Sequence, residues 1–163
     1  LNLCPFARKP FAGDRIRFVV TPAATAAELR AVLAQELRLL ADTPAEQVET
    51  TILIHPHVLT DFLDYNDFAA DANDLLSEME LDGIIQIATF HPDYRFAGTA
   101  PDAVENYTNR SPYPMLHLLR EASVTAVAND PDALAGIPER NIETMKHLGR
   151  AGVLEMLRKI REG

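Results

Sequence analysis

The chain carries five histidines and one cysteine, and two of the histidines end closely similar stretches. Thr51-Ile52-Leu53-Ile54 runs into His55-Pro56-His57, and Ile87-Ala88-Thr89-Phe90 runs into His91-Pro92-Asp93. Each is an apolar run of strand character stopped by His-Pro and followed by a further base or ligand. Proline cannot donate to a sheet ladder and holds the residue before it extended, so each imidazole would sit at a strand's carboxyl end with little backbone freedom. If the two strands run the same way, both rings lie on one edge, where open α/β sheets bind ligands. There His55 and His91 would work as acid and base, with Asp93 orienting His91 or serving as a second base. The three side chains also offer imidazole and carboxylate ligands to a divalent metal, although their spacing matches no standard zinc motif. The competing reading is that His-Pro merely ends a central strand and that the rings bond nearby carbonyls.

A second constellation follows the third strand. Arg95, Arg110 and Arg120 stand among Tyr94, Tyr107, Tyr113, Asn106 and Asn109 in a chain with 24 acidic against 15 basic residues. A guanidinium can clamp a carboxylate or phosphate through two parallel bonds, which points to a small anionic molecule as partner. Ser111 would cap a helix predicted from Ser111 or Tyr113 to about Ala128, whose free amides and positive end would favour the same anion. On that helix His117, Arg120 and Glu121 share a face at spacings of three and four, turned to the crevice or to solvent. Against this stands the reading that the arginines pair with Asp93, Asp102, Glu105 or Glu121 and only pin a long loop.

Cys4 is a nucleophile if an adjacent cation or a helix N-terminus lowers its pKa, and otherwise a small buried hydrophobe. Cys4-Pro5-Phe6-Ala7 resembles the active-site tetrapeptide of omega-class glutathione transferases, but the helix that starts there in that family would have to pass Pro10 and Gly13.

The elements that must hold these groups follow from periodicity. Ile16 to Val20 reads as a first strand. Thr25 and Glu28 have capping-box spacing, with Leu29, Val32, Leu33, Leu37 and Leu40 recurring behind them as a helical stripe. Glu49 to Ile54 is a second strand, and Thr60 to Glu80 a second helix, perturbed near Tyr65-Asn66 and carrying Asp61, Asp64, Asp67, Asp71 and Asp74 on its outer side. Ile84 to Phe90 is a third strand. Pro138 opens a last helical segment that Gly149 and Gly152 divide. Strand, helix, strand, helix, strand is the order of parallel crossovers, so the expected fold is an α/β layered domain: a small, mainly parallel sheet of three or more strands covered by helices. A ferredoxin-like α+β sheet is the alternative.

With 163 residues, one domain over 1–163 is expected, with a lead-in missing ahead of Leu1. A net charge of −9 disfavours nucleic acid and anionic membrane surfaces. The single cysteine and the lack of a basic-then-apolar leader suggest a reducing, cytoplasmic setting. Phosphate-loop, GxGxxG, GxSxG and HExxH motifs are all absent from the sequence.

Several longer stretches resemble one family. Leu3-Cys4-Pro5-Phe6-Ala7, Asp64-Tyr65-Asn66-Asp67-Phe68, Phe90-His91-Pro92 through Gly98-Thr99, Asn106 through Pro114, His117-Leu118-Leu119-Arg120-Glu121 and Ile137-Pro138-Glu139-Arg140-Asn141 are similar to the bacterial domain-of-unknown-function family numbered 1415. The resemblance spans nearly the whole chain and implies a coherent domain without implying a reaction. The functional expectation from the residues is therefore a small cytoplasmic enzyme acting on a small anion through His55, His91 and the arginines. Its alternatives are a noncatalytic anion-binding domain in the same crevice and a structural or partner-binding protein.

Overall fold

The computed structural model describes residues 8–128 and 131–162. A one-turn helix α1 (Arg8–Ala12) leads into β1 (Ile16–Val20), followed by α2 (Ala26–Asp42), β2 (Thr50–Ile54), α3 (Phe62–Glu78) and β3 (Ile85–Phe90). A short 3-10 helix, Val104–Thr108, lies in the connection to β4 (Met115–Arg120), and α4 (Glu121–Ala128) and α5 (Pro131–Glu162) complete the chain.

Helix α2 forms as its sequence predicts. The Thr25 side chain accepts from the Glu28 amide, and the Glu28 carboxylate accepts from the Thr25 amide. Behind that cap Leu29, Leu33, Leu37 and Leu40 are wholly buried, each contributing about 2 kcal/mol of burial. Helix α3 is unbroken at Tyr65-Asn66. Asp61 caps it by accepting from the Leu63 amide at 2.8 Å, and Tyr65, Phe68, Ala72, Leu75 and Leu76 form its buried stripe. In α5, Gly149 interrupts the helix with φ of 65°, a left-handed value that glycine reaches without a Cβ penalty.

The sheet order is β1-β2-β4-β3, with β1 and β2 parallel and β4 antiparallel to both of its neighbours. The sheet is therefore mixed, and the expectation of a mainly parallel sheet is corrected. Element order β-α-β-α-β-β also differs from the β-α-β-β-α-β of a ferredoxin-like fold. The crossovers β1-α2-β2 and β2-α3-β3 step in one direction along the sheet, so a common hand puts α2 and α3 on one face. Val19, Leu53, Leu116, Leu118, Ile85 and Ile87 meet the two helices there as the main core. The opposite face is partly open: Phe18 and Val20 on edge strand β1 are 58% and 66% exposed.

The predicted helix over Ser111–Ala128 is the second correction. Met115–Arg120 is a central strand and only Glu121–Ala128 is helical. Met-Leu-His-Leu-Leu-Arg has good intrinsic helix propensity, but the slot between β2 and β3 supplies ladder partners on both sides, and pairing outweighs propensity. His117 and Arg120 consequently lie on opposite faces of a strand, since side chains alternate along it.

Candidate functional site

Because β2 and β3 both run antiparallel to β4, they run parallel to each other, and His55 and His91 do sit at one edge of the sheet. The rim is sealed, however. Both imidazoles have no solvent exposure, and the Tyr65 ring contacts both, with centroids 5.8 Å from His55 and 5.0 Å from His91. The Tyr65 hydroxyl donates to the Met115 carbonyl and accepts from the Phe90 amide, each at 2.9 Å, so it bridges the ends of β3 and β4. Burial pushes that hydroxyl's pKa up and keeps it protonated.

Each imidazole holds backbone. His55 Nδ1–H donates to the Val58 carbonyl at 3.0 Å. The Asp93 amide donates to His91 Nδ1 at 3.0 Å, which leaves His91 Nε2–H to donate to the Leu59 carbonyl at 3.2 Å. Leu59 has φ of 55°, a strained value for a residue with a branched side chain, and the two adjacent carbonyls taken by the histidines hold the turn that requires it. Burial lowers the pKa of both rings and outweighs the bonds to Val58 and Leu59, so both are neutral at pH 7. His91 has no nitrogen left for chemistry. His55 Nε2 has no hydrogen-bond partner among the described residues, but it too is buried.

The remaining predicted residues scatter. Ser111 is buried and caps no helix: its hydroxyl donates to the Tyr113 carbonyl at 2.6 Å and its amide to the His91 carbonyl at 3.4 Å. His117, 5% exposed, lies mid-strand with Nε2 2.7 Å from the Thr50 hydroxyl, which itself donates to the Leu118 carbonyl. Burial brings its pKa down to about 4. Arg120 is at the far end of β4, donating to the carbonyls of Leu40, Thr43 and Val48, where it caps the C-terminus of α2. Of these three only Ser111 touches the rim that carries His91, and it does so through its backbone amide. Cys4 lies outside the described residues.

Three predicted residues do come together, on the solvent side of the buried rings. Asp93, Arg95 and Arg110 line a cleft of about 430 Å³ whose other walls are Phe62, Leu63 and Pro101. Arg110 is tightly oriented. Its Nε donates to the Tyr94 carbonyl at 3.2 Å, one terminal nitrogen donates to the Pro101 carbonyl at 2.7 Å, and its carbon lies 4.3 Å from the centre of the Tyr107 ring. A second cleft of about 350 Å³, walled by Pro92, Tyr107, Leu154, Leu157 and Arg158, is also lined by Asp93 and Arg110.

Asn106 shapes the loop around them. Wholly buried, it accepts from the Phe96 amide and the Thr99 hydroxyl and donates to the Ala100 carbonyl, which ties 96–100 to 106. This closure, with the buried Tyr107 packed against Met145 and Val153 of α5, answers the question a loop this long raises about order. Sequence reasoning missed Leu63, Pro101 and Leu154 as cleft walls. An exposed leucine at a helix start is a faint signal, and the other two carry none.

Among the described residues no group of three or more histidine, cysteine, aspartate or glutamate side chains is placed to hold a metal ion. Nor is any described helix long and apolar enough to cross a membrane.

A family model described as "Protein of unknown function (DUF1415)" matches residues 1–155. The chain belongs to this family. No curated protein and no solved structure matches it. For this DUF1415 member, chemistry must therefore be argued from the cleft itself.

Proposed function

We propose that this domain binds a small anionic molecule without transforming it, in the cleft formed by Asp93, Arg95 and Arg110. The observation that carries the reading is the state of Arg110. Two backbone carbonyls and an aromatic face hold its guanidinium, yet neither it nor Arg95 is in an ion pair among the described residues. Its bonds to the Tyr94 and Pro101 carbonyls use Nε and one terminal nitrogen, and the guanidinium also lines the cleft. Here Asp93 lines the same cleft and is left apart. A preoriented guanidinium loses little side-chain freedom on binding, which is what a carboxylate or phosphate site requires.

The catalytic alternative has less behind it. An acid or base must reach the proton it moves, and the histidines that would supply one are sealed behind Tyr65 and Phe62 and committed to the turn at 55–61. Their role in this reading is to support the cleft: His91 Nδ1 accepts the Asp93 amide and so positions the first of the lining residues.

Titration calorimetry of the intact chain with inorganic phosphate, with 4-methylpentanoate and with leucine tests the proposal. At least one should bind, with affinity falling about tenfold or more in Arg110→Gln while the melting temperature is kept. Binding that Arg110→Gln leaves unchanged, or no binding by phosphate, 4-methylpentanoate or a carboxylate that also carries an ammonium, such as leucine, overturns it.

A further inference from the structure

We infer that the ligand of this cleft is a zwitterion, specifically a free α-amino acid with an apolar side chain; the inference rests on the anion-binding reading above and narrows it. A site built for an anion alone would exclude a carboxylate, because a like charge beside the ligand weakens its binding. This one contains Asp93, positioned by the bond from its own amide to the buried ring of His91.

Asp93 is not there to neutralise the arginines. Among the described residues it forms no ion pair with Arg95 or Arg110, although all three line the same 430 Å³ space. Two positive groups and one negative group in one cleft, none satisfied by another, are complementary to a molecule that brings one negative and one positive group of its own. An α-carboxylate would meet the guanidinium of Arg110, with Arg95 adding charge at the open side. The α-ammonium would meet Asp93.

The remaining walls set the side chain. Phe62 and Leu63, from the first turn of α3, and Pro101 are apolar, and Leu63 is 70% exposed. An aliphatic group laid on them removes that surface from water, at roughly 25 cal/mol for each Å² covered. The Phe62 ring is itself braced by Tyr94 at 5.4 Å and His91 at 5.5 Å between centroids. A polar side chain would gain nothing from this wall.

Calorimetry on the intact chain separates the levels of the claim. Leucine should bind, N-acetylleucine and 4-methylpentanoate, which lack the ammonium, should bind about tenfold or more weakly, and serine should bind more weakly than leucine. Asp93→Asn should erase the preference for leucine over N-acetylleucine and bind 4-methylpentanoate at least as tightly as the unsubstituted chain does, because the like charge beside its carboxylate is gone. If 4-methylpentanoate binds as well as leucine, or Asp93→Asn leaves the preference intact, the zwitterion inference falls and the anion site stands. If neither leucine, 4-methylpentanoate nor phosphate binds, or Arg110→Gln changes nothing, both fall together. Heat-unfolding curves of both variants that match the unsubstituted chain exclude misfolding as the cause.

Discussion

Arg110 and Arg120 lie at the two ends of one stretch, and backbone carbonyls hold both. Arg120 donates to three carbonyls at the end of α2 and in the turn after it. Its charge is matched by the negative end of that helix, and its polar edge faces protein. Arg110 donates to two carbonyls, from its Nε and one terminal nitrogen, and its face is covered by Tyr107, so that a donor edge remains beside two clefts. Residue type does not separate the two roles. What separates them is how many donors the fold consumes and whether open space adjoins the rest.

That contrast can be broken most directly at Arg120. Arg120→Met leaves three carbonyls without their charged donor and should cost about 4 kcal/mol of stability, lowering the melting temperature by on the order of 10 °C. Arg110→Met should cost less than about 1 kcal/mol by urea titration, because it gives up two carbonyl bonds rather than three and the one to Pro101 is exposed. Equal losses would put Arg110 in the same structural class as Arg120 and remove the site.

His117, on the strand between them, provides the next largest effect. Its folded pKa of about 4 lies below the ordinary histidine value of 6.5, so the unfolded chain binds a proton that the folded chain refuses. The contribution to stability is fully present above pH 6.5 and drains away as pH falls toward 4, about 3 kcal/mol in all. His55 and His91, with pKa lowered in the same direction, act in the same sense. Urea titrations of the unsubstituted chain and of His117→Gln across this window should differ in slope by one proton. Parallel curves would mean that the ring is not held neutral.

Arg110→Lys sharpens the comparison. A lysine cannot hold the Tyr94 and Pro101 carbonyls and still present a flat donor edge, so anion affinity should fall about tenfold despite the retained charge. Full affinity in the lysine variant would reduce the site to a simple positive potential. The smallest effect is at the far end of the helix that Arg120 caps. Thr25→Ala removes half of the capping box and should cost about 1 kcal/mol, with ligand binding unchanged. A loss as large as that of Arg120→Met would show that the C-terminal carbonyls are nothing special.

Local patterns were readable wherever a short stretch of chain decides its own conformation. The capping box at Thr25 and Glu28, the leucine stripe behind it, the strand ends at His55-Pro56 and His91-Pro92, and the glycine break at Gly149 are all of this kind. The prolines mark where both strands end, but a rim shared by the two histidines requires the strands to run the same way, a condition that pairing of both with β4 meets. The burial of that rim was not readable. Tyr65 arrives from α3 to cover both rings, and nothing near either histidine in the chain announces it.

The sequence by itself determined the secondary elements with regular period, the acidic surface and the clustering of arginines with aromatic residues after β3. Only the tertiary structure decided that Met115–Arg120 is a strand, that this strand enters between β2 and β3, and that Arg110 rather than Arg120 keeps an open edge. The reason is the range of the forces involved. Caps, turns and amphipathic stripes are settled among residues a few positions apart, whereas ladder partners, burial and the number of free donors depend on groups brought together from far along the chain.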